Sequence, residues 1–166
     1  MVIILMGVTG SGKTTIGRLL AERFGSAFFD GDDFHSQENI RKMSAGIPLT
    51  DEDRHAWLLV LADLISKNVN EGASAVVACS ALKQRYRDIL NVNPQQVRFI
   101  HLKGSPALIR SRLRYRPGHY MKAGMLESQF AVLEEPEDAL IVDIRRPPEE
   151  CVAQIVDAFQ IQADLR

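Results

Sequence analysis

The chain has 166 residues, 46% of them apolar and 25% charged, with 20 Lys and Arg against 21 Asp and Glu for a formal charge of −1. That length suits one domain with a substantial core, and the balanced charge excludes a polycationic binder of nucleic acid or acidic membrane, so any cationic site has to be local. Cys79 and Cys151 make neither a CxxC pair nor a zinc spacing, and the one N-terminal apolar run is far shorter than the ~20 residues that cross a bilayer, so a cytoplasmic chain with free thiols is expected.

Val2–Met6 is apolar at every position, which predicts a strand covered on both faces of a parallel sheet. Gly7-Val8-Thr9-Gly10-Ser11-Gly12-Lys13-Thr14 follows and fits G-x-x-x-x-G-K-[ST] at each fixed position. Ile16, Leu19, Leu20 and Phe24 then recur at helical spacing, so the motif stands in its strand-to-helix context. Glycine lets the backbone curl until successive N–H groups point at one anion, and the helix N-terminus adds favourable partial charge. Lys13 is expected to reach the β- and γ-phosphates and Thr14 to offer a hydroxyl to Mg²⁺, with Thr15 completing the nucleotide-binding stretch. A guanine-reading N-K-x-D segment is absent, which favours ATP.

Ala27–Phe29 is the second predicted strand, and Asp30, Asp32 and His35 follow its end. Either the two acids face phosphate and acceptor, or they cap the next helix, a task open to Ser36 as well. Thr50 ahead of Asp51, Glu52 and Asp53 predicts the start of a helix carrying Trp57, Leu58, Leu61, Leu64 and Ile65. Trp57 and Tyr86 are expected as core or pocket wall, and His55 and His101 as structural. The third strand, Ala75–Cys79, ends in Cys79-Ser80 where many P-loop proteins place a Walker-B Asp, so Asp30 is expected to take that place through water and serve the metal with Thr14.

Val97–Leu102 is the fourth strand, and Ser105 to Arg116 reads as a helix with Leu108, Ile109 and Leu113 on its apolar arc. Arg112 and Arg116 fall inside that arc and Arg110 and Arg114 opposite, so the first two need an anionic partner, either phosphate or an acidic side chain. Pro117 and the glycines at 118 and 124 predict a mobile lid near residues 116–126, with His119 and Tyr120 in it. Leu126, Phe130 and Leu133, then the strand Leu140–Val142, then Val152, Ile155, Val156 and Phe159 behind Pro147-Pro148 complete the chain. This order predicts a three-layer α/β P-loop NTPase fold: one domain over residues 1–166, with a five-stranded parallel sheet flanked by helices.

Phe29-Asp30-Gly31-Asp32-Asp33-Phe34-His35, Asn39, Lys42, Met43, Gly46, Pro48-Leu49, Asp51, Asp53-Arg54 and Trp57 resemble the gluconate kinase family. So do Cys79-Ser80-Ala81-Leu82-Lys83, Tyr86-Arg87-Asp88, Leu102-Lys103-Gly104, Arg116, Gly118-His119, Leu126, Ser128-Gln129-Phe130, Leu133-Glu134 and Pro136. The likeness covers almost the whole chain. It implies transfer of phosphate from ATP to D-gluconate, giving 6-phosphogluconate on a shikimate-kinase-like fold, usually as a homodimer. Lys13, Asp32 and Arg116 are then the expected catalytic residues, Asp32 orienting the acceptor hydroxyl and taking its proton, and Arg116 with Arg112 meeting the transferring phosphate. His35, Lys42, Arg54, Lys83, Arg87 and Gln129 supply the donors and cations that a polyhydroxy carboxylate needs. Arg54 is either a surface ion-pair partner or, by resemblance to shikimate kinases, the group that holds the substrate carboxylate. The same phosphate machinery suits another small-molecule kinase or a slow nucleotide-hydrolysing switch, and dependence of ADP release on added acid sugars separates these.

Overall fold

The computed structural model describes residues 1–114 and 123–164. Its five strands are β1 (Val2–Met6), β2 (Ala27–Asp30), β3 (Ala75–Ala78), β4 (Val97–Lys103) and β5 (Leu140–Asp143), paired in parallel in the order β2-β3-β1-β4-β5. Val2 stands level with Ala75 on one side and Val97 on the other, so β1 lies mid-sheet and all five of its residues are buried, as the unbroken apolar run requires.

The helices are α1 (Lys13–Phe24), α2 (Gln37–Ser44), α3 (Asp51–Asn70), α4 (Gln84–Leu90), α5 (Pro106–Arg114), α6 (Ala123–Val132) and α7 (Pro148–Asp164). Side chains alternate along each strand, and two apolar cores result. Ile3, Leu5, Val76, Ile100 and Val142 meet Ile16 and Leu20 of α1, Ile109 of α5 and Ile155 of α7 on one face. Val2, Ile4, Met6 and Val77 meet Trp57, Leu61 and Ile65 of α3 and Tyr86 and Leu90 of α4 on the other. The expected three layers are therefore present. Among the described residues no helix is long and apolar enough to cross a membrane.

Local chemistry sets the element ends. Thr50 and Asp53 form a reciprocal capping box at the start of α3, each side chain accepting from the other's backbone N–H. Ser36 accepts from Asn39 N and opens α2, while Asp30 accepts from Asp32 N and opens a single 3-10 turn, Gly31–Phe34. Asp30 thus takes the capping part left open in the sequence, without losing its second oxygen.

Four strand ends differ from expectation. β2, β4 and β5 each run one residue further, to Asp30, Lys103 and Asp143, and β3 stops one residue short of Cys79. Those polar residues sit at C-terminal strand ends, where an apolar-run criterion cuts early. Residues 123–126, expected as the far side of a lid, are the first turn of α6. Arg116, Pro117, Gly118, His119 and Tyr120 lie outside the described residues.

Candidate active site

The phosphate-binding loop leaves β1 at the centre of the sheet, where β3 and β4 flank it, at the strand ends where open α/β sheets bind ligands. Gly7 has φ of 141°, and a Cβ there would stand 2.8 Å from the Leu102 carbonyl oxygen. Only glycine lets the loop pass this close to β4. Ser11 is fully buried within the loop, and its hydroxyl has no hydrogen-bond partner among the described residues. α5 lies over the loop, since a Cβ on Gly10 would come within 3.0 Å of the Leu113 side chain.

Lys13 Nζ donates to the carbonyls of Gly7 and Val8, both at 3.0 Å, which folds the ammonium back across the loop. Thr14 Oγ1 donates to Asp30 Oδ2 at 2.7 Å. The hydroxyl and the carboxylate thereby meet beneath the start of α1, two hard oxygen donors of the kind Mg²⁺ takes, usually with several waters retained. Cys79 is no substitute ligand: burial pushes its thiol up to about 12, although Lys13 nearby pulls the other way and Asp30 and Asp32 oppose ionisation. These charges converge on the end of β3. Both cysteines are free and buried.

Gly31 separates the two aspartates for a steric reason. A Cβ there would lie 2.5 Å from the Ala78 carbonyl oxygen, so β3 and the turn can touch only through glycine. The Gly31 carbonyl accepts from the indole Nε1 of Trp57 at 2.7 Å. Asp32 then projects into solvent while Asp30 stays half-buried against Thr14. His35 lies behind Asp32 with its side chain only 5% exposed, and Nε2 stands 3.9 Å from Asp32 Oδ1. Burial lowers the His35 pKa, Asp32 partly offsets that, and the Arg54 guanidinium lowers it further.

The structure sorts the expected gluconate-binding residues. Asp32 of the 3-10 turn and Arg54 of α3 both lie near His35. Arg54 is half-buried and forms no hydrogen bond or ion pair with a described residue. Lys42 instead binds Asp53 at 2.8 Å and Glu38 at 3.3 Å, and Lys83 binds Asp51 at 3.2 Å. Arg87 is 3% exposed and braces the turn before α4, donating to the carbonyls of Ala81 and Leu82 and to Gln84 Oε1. Each of these three thus already spends donors on protein partners. Gln129 on α6 accepts from the Thr9 backbone N–H at 2.7 Å, so it faces the phosphate loop.

Arg112 is half-buried, as its place on the helix wheel predicts, and donates to the Ile144 carbonyl just past β5. Thr15 is exposed on the first turn of α1. Trp57 is core, as expected, but it is also the partner of Gly31 and the stacking surface for His35, with ring centroids 4.2 Å apart. Nothing in the chain's linear order signals this double contact beyond a tryptophan one turn after Arg54. His101 is buried, whereas His55 is exposed on α3.

The shikimate kinase family model matches residues 9–160. A probable gluconokinase of Rattus norvegicus is 42% identical over 96% of this chain and 97% of its own length. The thermoresistant gluconokinase of Escherichia coli is 41% identical over 96% of this chain and 93% of its own. The crystal structure of a gluconokinase from Sinorhizobium meliloti is 39% identical, covers 96% of this chain and 95% of that one, and superposes with a TM-score of 0.82. With the family model over residues 9–160 and near-complete coverage by gluconokinase relatives, the chain belongs to the shikimate kinase family, among its gluconokinase members.

Proposed function

We propose that the chain transfers the γ-phosphate of ATP to the terminal hydroxyl of D-gluconate, giving ADP and 6-phosphogluconate. One observation carries the geometry of this reading: Thr14 joins Asp30 at 2.7 Å, and Asp32 stands two residues on, turned outward. On this reading the phosphate side and the acceptor side of the transfer site lie on either side of Gly31. The gluconokinase relatives supply the acceptor.

In this reading the loop amides and Lys13 cradle the phosphates, with Lys13 leaving the Gly7 and Val8 carbonyls to follow the γ-phosphate. Thr14 and, through water, Asp30 would hold Mg²⁺, which supplies charge neutralisation on phosphate oxygens when bound. Asp32 accepts the acceptor's hydroxyl proton as the new O–P bond forms and the bond to the ADP oxygen breaks. A carboxylate suffices because in a loose transition state the proton leaves late, and position matters more than basicity. Arg54 faces the substrate carboxylate, His35 and Gln129 offer polar contacts, and Arg116 with Arg112 is assigned to the transferring phosphate. A cytoplasmic homodimer acting on a small molecule, without nucleic acid or membrane, completes the reading.

The test is coupled ADP release with Mg-ATP against gluconate, shikimate, glucose and common nucleosides, for the wild type and Asp32→Asn. Gluconate alone should elicit turnover, and Asp32→Asn should abolish it while ATP still binds. Turnover with another acceptor, or full activity of the variant, would sink the assignment of substrate or of base respectively.

A further inference from the structure

Asn39 has no part in the reaction as described, yet it is a polar side chain only 4% exposed on the first turn of α2. Its amide nitrogen has two neighbours: the Asp53 carbonyl oxygen at 3.1 Å and His35 Nδ1 at 3.4 Å. A carbonyl can only accept, so the NH₂ end of Asn39 faces both groups, and that end has two hydrogens and no lone pair to offer. His35 Nδ1 must then accept. A neutral imidazole with a bare Nδ1 carries its proton on Nε2, the nitrogen that faces Asp32 Oδ1.

Trp57 removes the remaining freedom. Its ring lies against the imidazole with an interplanar angle of 18°, and its own N–H is pinned to Gly31, so the imidazole rotates neither about its long axis nor away from the turn.

We infer that Asn39 is a positioning residue that fixes His35 as the neutral Nε2–H tautomer, so that His35 presents a single donor to Asp32 and orients its carboxylate toward the acceptor hydroxyl. The 3.9 Å separation is longer than a hydrogen bond, and such contacts commonly tighten once substrate is bound. A neutral donor also suits the chemistry. An imidazolium would tie Asp32 into an ion pair, whereas a neutral N–H orients its carboxylate through a single hydrogen bond. The charged groups facing His35 are Asp32 from the 3-10 turn and Arg54 from α3. Protonation would also put an Nδ1–H against the Asn39 amide hydrogens, so geometry and burial act in the same direction.

The inference rests on the kinase reading, and two measurements keep their failures apart. Nitrogen-15 NMR of the wild-type protein reads the tautomer without any variant, and His35→Gln identifies the His35 signals among the four histidines. Nε2–H is expected at neutral pH, and a predominant Nδ1–H form would overturn the inference whatever the activity. In Asn39→Ala and Asn39→Asp the tautomer preference should weaken or invert, and kcat for gluconate should fall by roughly ten-fold or more with the ATP KM nearly unchanged. A changed tautomer with unchanged kcat would also overturn it, while Asp32→Asn remained inactive and the kinase reading stood. Absence of gluconate turnover in the wild type would instead remove the kinase reading, and the positioning role with it.

Discussion

Arg54 is the residue whose surroundings ask most directly for a ligand. It follows three acids, yet Asp51 is taken by Lys83, Arg85 and Tyr86, and Asp53 by Lys42 and the Thr50 cap, which leaves Arg54 beside Asp32 and His35 without an ion pair among the described residues. A half-buried guanidinium is stabilised by a planar anion, and a sugar-acid carboxylate matches its fork. A hydrogen bond to a charged group is worth about 2 kcal/mol, or roughly thirty-fold in affinity. Arg54→Ala should therefore raise the gluconate KM by about that factor and leave the ATP KM within about two-fold; equal rises in both would remove Arg54 from the acceptor site. Lys42, Lys83 and Arg87 are cations of the same sequence neighbourhood that hold protein partners in this structure: Lys42 ties α2 to α3, Lys83 ties the start of α4 to α3, and Arg87 braces the turn before α4. Nothing in sequence spacing separates a tie from a binding group, because the distinction depends on which acids the fold brings near.

At the scale of elements, the turn between β2 and α2 depends on one missing methyl group. Gly31 touches the Ala78 carbonyl, and adding a Cβ at 2.5 Å forces β2 and β3 apart at their ends. Gly31→Ala should cost roughly 1–3 kcal/mol, as other overpacked sites do, and should lower kcat further by displacing Asp30 and Asp32 together. Thermal melting and turnover on the same preparation check it, and a variant of wild-type stability and rate would show that the contact relaxes freely. The same turn explains how much of the architecture could be read in advance. Strands came from unbroken apolar runs, because a sheet covered on both faces admits nothing else at its centre, and β1 is the plainest instance. α2 and α4 left no such trace. Within Gln37–Ser44 the one buried residue is the polar Asn39, and α4 has only seven residues, with Arg87 among its buried ones. Helices held by polar contacts do not repeat apolar residues at 3.6-residue spacing. The phosphate loop was legible because its glycines answer to backbone geometry alone, whereas Asn39 and Trp57 act through neighbours that adjoin them only in the folded chain.

For the whole molecule, the described ionisable groups make stability fall with acid in two separate windows. His35 and His101 both have pKa values lowered chiefly by burial. His101 is 2% exposed, with Glu135 Oε2 3.4 Å from Nδ1 but not aligned as a hydrogen bond, and Lys103 and Arg87 further disfavour its charge. As pH drops below about 6.5 the unfolded chain takes up these protons before the folded one, so the unfolded state is favoured progressively until the folded pKa values are reached. Asp51 and Asp143 act lower. Hydrogen bonds from Tyr86, Lys83 and Arg85 bring Asp51 to about 2, and those from Arg145 bring Asp143 to about 2, so their contributions are intact above about 4 and are lost as pH falls towards 2. The melting temperature should therefore decline already between pH 7 and 5, through the buried imidazoles, and decline again below pH 4. His101→Gln should flatten the upper window and leave the lower one, since it removes one of the two buried imidazoles without touching Asp51 or Asp143. A wild-type melting temperature that stays level from pH 7 to 5 would mean that these imidazoles accept protons inside the fold as readily as outside it, and that the polar layer around His35 is looser than its stacking on Trp57 requires.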